Sequence, residues 1–155
     1  MQASISVQIE PFDPLAVQAK LWADQPWVGA VVSFIGLMRD VNQGDRVLKM
    51  TLEHYPGMTE KALRAIVDEA ALRWDLHGVH LVHRVGELRP ADPIVLVVVA
   101  SANRGQAFQA CEFIIDYLKT RAPFWKKETT ESGERWVQAR SSDKDAEQRW
   151  CRQPE

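Results

Sequence analysis

Lys119, Arg121, Lys126 and Lys127 crowd into the segment Asp116-Tyr117-Leu118-Lys119-Thr120-Arg121-Ala122-Pro123-Phe124-Trp125-Lys126-Lys127-Glu128. Fixed cations beside flat rings suit an anion joined to a planar group, and an ammonium among them can also carry a proton. Lys119 falls in the last turn of a helical pattern, where any lysine gains from the helix dipole. Its spacing from Ile115 and Phe108 nevertheless puts it at the border of the apolar stripe instead of on the solvent face. Lys126 and Lys127 follow on a strand. Adjacent strand residues face opposite sides, so one of the two must turn inward or into a groove.

Two arginines extend this set. Arg39 ends an apolar run, Gly29–Met38, just before the polar stretch Arg39-Asp40-Val41-Asn42-Gln43-Gly44-Asp45. Arg104 opens the second long helix directly after Asn103. Free N–H groups at a helix start favour anions, and a guanidinium adds a planar pair of donors suited to phosphate. The ordinary alternative for each is a surface ion pair of little energetic weight.

Other chemistries fit poorly. His77, His80 and His83 are spaced by three, but on a strand that offset sends His80 and His83 to opposite faces, so no metal site is expected from them. Gly29, Gly36 and Gly44 are too dispersed for a phosphate loop, and no G-x-S-x-G elbow occurs. Cys111 and Cys151 form no C-x-x-C pair and read as reduced thiols.

The elements that must position these residues can be traced along the chain. Ser4–Ile9 alternates as a strand, and Asp13 can cap a short helix over Pro14–Ala23. Gly29–Met38 is β-branched and reads as a buried strand, with Val47–His54 returning antiparallel to it. Thr59 can cap a helix running to about Trp74, with Leu63, Ile66, Val67, Ala70 and Ala71 at helical spacing. Gly78–Leu88 is the next strand. Ile94–Ala102 is nearly all β-branched, as in a central strand covered on both faces. A helix over Arg104–Arg121 carries the inner stripe Ala107, Cys111, Ile114 and Leu118, with Phe108 and Ile115 alongside. Pro123 stops it. Phe124–Thr129 and Arg135–Ala139 form a hairpin, and the charged tail makes a helix over Ser142–Trp150 before fraying. The class is α+β, helices packed on a mostly antiparallel sheet with a small C-terminal hairpin.

The 155 residues fit one domain, 1–155, with a core over about 29–140 and a charged tail, 141–155. A net charge of −2 argues against nucleic acid as a partner. The longest apolar run, Ile94–Ala100, is too short to cross a bilayer, and the first residues lack a signal-peptide pattern. The expectation is a cytoplasmic protein with no membrane partner.

Three blocks, Thr51-Leu52-Glu53-His54-Tyr55-Pro56-Gly57-Met58, His83-Arg84-Val85-Gly86-Glu87-Leu88 and the 116–128 segment, resemble in one register the large, catalytic subunit of molybdopterin synthase. The resemblance covers about residues 29–140. It implies an α/β hammerhead fold and a homodimer. Each copy would bind a small ubiquitin-like sulfur-carrier subunit, giving a heterotetramer. The carrier's C-terminal thiocarboxylate would enter the large subunit's pocket and place sulfur on cyclic pyranopterin monophosphate, making the dithiolene of molybdopterin. No metal or redox cofactor is implied at this step. By position, Lys119 resembles the family's central catalytic lysine and Lys126 its second. Leu37, Met38 and Arg39 match a substrate-contacting stretch, Arg104 a phosphate-binding arginine, and Lys127 and Glu128 a continuation of the binding strand. Asn103 stands where the family usually has histidine. It can bond a substrate but cannot transfer a proton near neutral pH. The competing reading is a non-catalytic docking module for a C-terminal peptide tail.

Overall fold

The computed structural model describes residues 1–138 and 141–151. The β-branched run that reads as a central strand is one: β7 (Pro93–Ser101) lies inside a sheet of order β1-β5-β7-β2. Here β1 is Gln2–Gln8, β2 is Ala30–Leu37 and β5 is Leu76–Arg84. β1 runs parallel to β5, and the other pairs are antiparallel. Val95, Val97 and Val99 of β7 enter one core with α2 (Met58–Arg73) and α3 (Arg104–Arg121). Leu96, Val98 and Ala100 enter another with Leu21, beneath α1 (Pro14–Ala19). Burial on both faces removes any reason for polar alternation.

A second sheet carries β3 (Val41–Asn42), β4 (Asp45–His54), β8 (Phe124–Thr130) and β9 (Gly133–Val137), with β6 (Gly86–Leu88) also paired to β4. Its core is Met38, Val47, Met50, Leu52, Val85 and Leu88, with Phe124 packed against it. The class is therefore α+β and mostly antiparallel, as expected. α4 (Ser141–Cys151) closes the described chain.

Several elements differ from their sequence reading. The run Gly78–Leu88 is two strands, because Gly86 takes φ +85° and sends the chain from the first sheet to the second. β2 is an edge strand, so Phe34, Ile35 and Leu37 are exposed instead of buried. α1 ends at Ala19, where the Leu21 N–H turns to the Gln18 carbonyl; the Asp13 cap is present.

Gly57, not Thr59, is the cap of α2, with the Glu60 carboxylate accepting from its N–H at 2.6 Å. Thr59 instead accepts from the Tyr55 N–H and donates to the Pro123 carbonyl, which ties α2 to the turn entering β8. On α3, Phe108 is exposed, and Phe113 and Tyr117 are the large rings inside.

α4 is held against the rest of the protein. Trp150 packs on Trp74 and Phe113 and donates to Asp116 at 2.7 Å, while Arg149 bonds Glu112 and Asp116. The helix includes Cys151, one residue past the expected start of fraying; Ala139, expected in the hairpin, and residues 152–155 lie outside the described residues. No described helix is long and apolar enough to cross a membrane.

Candidate functional site

The end of α3, the start of β8 and the end of β2 converge on a cavity of about 360 Å³. Clefts of this size commonly hold small molecules. Its walls include Lys119 from α3, Lys126 and Glu128 from β8, and Leu37, Met38 and Arg39 from the end of β2. Six of the residues singled out by sequence thus meet in one place. Met50 and Leu52 of β4 supply apolar floor beneath them.

The β4–β8 register explains the choice. Lys126 pairs with Leu52 and Glu128 with Met50, so alternate residues of both strands share the pocket face. Lys127 lies on the other face. Its ammonium meets Glu134 at 2.9 Å and sits over the Trp136 ring. Lys127 therefore does not line the cavity, and neither does Trp125, which is exposed. The pocket's ring is Phe124. Arg121 also turns away, bonding Glu147 and Glu69 and stacking over Tyr117 at 3.8 Å.

His83 is a wall residue to which sequence reasoning gave no role. Its ring stacks on Phe124 at 3.9 Å between centroids, with a tilt of 17°. Its Nδ1 lies 2.8 Å from the Arg84 carbonyl, which can only accept, so the proton is on Nδ1 and Nε2 is an acceptor. Burial pushes its pKa down to about 4; the Arg84 bond opposes this, and the charges of Lys119, Lys126 and His54 reinforce it. The signal in the sequence was His83 opening one of the three blocks. His80 faces the opposite core, as strand alternation requires. There burial lowers its pKa, Lys20 adds to the effect, and Nε2 has no partner among the described residues.

Asn103 and Arg104 are elsewhere. They sit at the start of α3, and Lys119 lies fifteen residue steps along the helix from Arg104, about 22 Å along the axis. Neither lines the cavity. Asn103 is the cap of α3: its side chain accepts from the Gln106 N–H at 3.2 Å. That local duty was legible in the residue type and position.

Glu128 is buried, with 5% of its surface exposed, and its carboxylate is fully engaged. Asn42 donates to one oxygen at 2.8 Å, and Arg135 donates to the other. The site therefore combines cations from three elements, a stacked aromatic wall and one neutralised buried carboxylate. That arrangement can hold an anion beside a flat ring and move a proton at an ammonium.

The chain has clear relatives among known proteins. Residues 7–121 match the family model described as MoaE protein. The chain is 60% identical over 147 residues to a Ralstonia nicotianae protein named molybdopterin synthase catalytic subunit, covering 95% of this chain and 84% of that one. Among solved structures, a molybdopterin biosynthesis MoaE protein from Burkholderia ambifaria superposes with a TM-score of 0.84 at 52% identity, covering 98% of this chain and 100% of that one. A Staphylococcus aureus molybdopterin synthase gives a TM-score of 0.79 at 34% identity, covering 85% and 95%.

Proposed function

The chain belongs to the MoaE family, and on that premise we propose that it is the sulfur-transferring subunit of a molybdopterin synthase. It accepts the C-terminal thiocarboxylate of a small ubiquitin-like carrier and places its sulfur on cyclic pyranopterin monophosphate, forming the dithiolene of molybdopterin. The relatives' designation as a catalytic subunit supports the need for a second, carrier subunit. The observation that carries the reading is the meeting of Lys119, Lys126 and Arg39, from three separate elements, in one cavity.

In this reading Arg39 and Lys126 hold the substrate phosphate. Opening the cyclic phosphate increases its negative charge, so fixed cations stabilise the later state more than the earlier one. Leu37, Met38 and Phe124 provide apolar wall for the pterin. Lys119 lies beside the entering thiocarboxylate and exchanges the proton that the transfer requires. Glu128 belongs to the same wall, whereas Lys127 stays outside it.

Asn103 and Arg104 are too far from Lys119 to serve the same cavity. If they contact substrate, they do so in the pocket of a second copy, within a homodimer that two carrier subunits complete as a heterotetramer. Two unpaired cysteines, one buried and one exposed, support a reducing compartment, the cytoplasm.

The test is product formation. Purified chain, thiocarboxylated carrier and cyclic pyranopterin monophosphate should yield molybdopterin, read as its fluorescent oxidation product. Lys119→Ala should lower the rate by at least about 100-fold. Carrier binding without product from the wild type would replace this reading with a docking module.

A further inference from the structure

Arg39 sits at the root of a small loop that does not hold itself. β3 and β4 pair there through two residues each, Val41 with Arg46 and Asn42 with Asp45. The turn between them, Gln43-Gly44, has φ of 52° and 80°, a left-handed pair that costs a non-glycine residue. So short a hairpin is marginal by itself. Its fastening comes from β8 and, beyond it, from β9.

One guanidinium provides most of that fastening. Arg135 Nη1 donates to Asp45 Oδ2 at 2.7 Å, and Nη2 donates to the Asn42 carbonyl at 2.9 Å. Nε and Nη2 both reach Glu128 Oε2, at 3.3 and 3.2 Å. Asn42 closes the ring by donating to Glu128 Oε1. Behind the loop, the Val47 N–H donates to the Asp40 carbonyl at 2.7 Å, and Met38 is bonded to the 91–92 turn through both its N–H and its carbonyl. Arg39 thus stands between a fixed residue and a loop whose far end is gripped by Arg135.

We propose that Arg135 is a positioning residue for the sulfur-transfer reaction: it clamps the 39–45 loop to β8 and β9 so that Arg39 keeps its place in the cavity wall. A planar fork is needed because the acceptors belong to β3, β4 and β8 and lie in different directions; a lysine is a single point charge and cannot span them. The inference rests on Arg39 contacting substrate, as proposed above, and gives Glu128 its part as the clamp's buried anchor.

The experiment uses the assembled enzyme with thiocarboxylated carrier and cyclic pyranopterin monophosphate. KM and kcat are measured for wild type, Arg135→Lys, Asp45→Asn, Arg39→Ala and the double variant Arg39→Ala/Arg135→Lys. Amide hydrogen exchange across 40–47 is followed in parallel. Arg135→Lys should lower kcat/KM for the pterin roughly ten-fold, with faster exchange at Val47. Asp45→Asn, which keeps the Glu128 contact, should give a smaller change of the same kind. In the Arg39→Ala background, Arg135→Lys should add less than about two-fold, because both act through one contact.

Equal losses in both backgrounds, or a loss of kcat/KM that merely follows falling stability, would reduce Arg135 to a structural role. Unchanged exchange at Val47 would overturn the clamp whatever Arg39 does. A silent Arg39→Ala would instead remove the substrate contact proposed above, while the exchange data would still report on the clamp.

Discussion

Lys126 and Lys127 are neighbours on β8 with the same side chain, and the fold gives them different occupations. Lys126 looks into the cavity with Lys119 and Arg39, above an apolar floor. Lys127 looks outward to Glu134 and Trp136. α3 repeats the contrast on a larger scale. Lys119 at its end faces the cavity, while Asn103 and Arg104 at its start lie about 22 Å away. Charge density along the chain is therefore a poor guide to charge density in space. What decides is strand alternation in the first case and helix length in the second.

The largest effect should separate the two lysines. Lys126→Ala is expected to lower turnover of the assembled enzyme about 100-fold or more, as removal of a charge-stabilising donor does. Lys127→Ala should leave turnover within about two-fold, because its solvent-exposed ion pair with Glu134 contributes little. Steady-state assay of both variants checks this, and equal losses would break the contrast.

His83 sharpens the electrostatic side of the comparison. It titrates at about 4 when folded, against an ordinary value of 6.5. Between those values the unfolded chain binds the extra proton, so stability is full above pH 6.5 and is lost as pH falls through the folded value. The loss from this one group is roughly 3 kcal/mol. His83→Asn, which keeps an N–H for the Arg84 carbonyl, should flatten that part of the profile in urea unfolding from about pH 7 to about pH 4. An unaltered profile would mean that His83 is not held neutral between the lysines.

The smallest effect belongs to the far end of α3. Asn103→Ala should cost about 1 kcal/mol through the lost cap, whereas Asn103→Asp, which retains an acceptor, should cost almost nothing. Thermal unfolding of both variants decides it. A full-sized loss in the aspartate variant would show that the cap is not the residue's main contribution.

Much of the site could be read before any fold was known. Pro123 ends α3 because the residue before proline is pushed out of the helical region, and the helix runs over Arg104–Arg121 as its apolar spacing indicates. The β-branched run of β7 declared a strand buried on both faces. The pairing of Lys119 with Lys126 and Arg39 came from their matching a known pattern; periodicity alone would have placed Trp125 and Lys127 with equal right. Phe108 shows the limit of spacing: it borders the inner stripe, yet 61% of its surface is exposed, because the stripe's orientation depends on what covers the helix.

What the sequence by itself determined was local: which stretches are helix or strand, and where proline ends a helix. These follow from backbone sterics and from side-chain periods of 3.6 and 2. The tertiary structure alone decided that β2 lies at a sheet edge, that Gly86 transfers the chain between sheets, that His83 stacks under Phe124 and that Arg135 grips the Arg39 loop. Each of these joins residues far apart in the chain, and such contacts depend on strand order and register, which no local preference encodes.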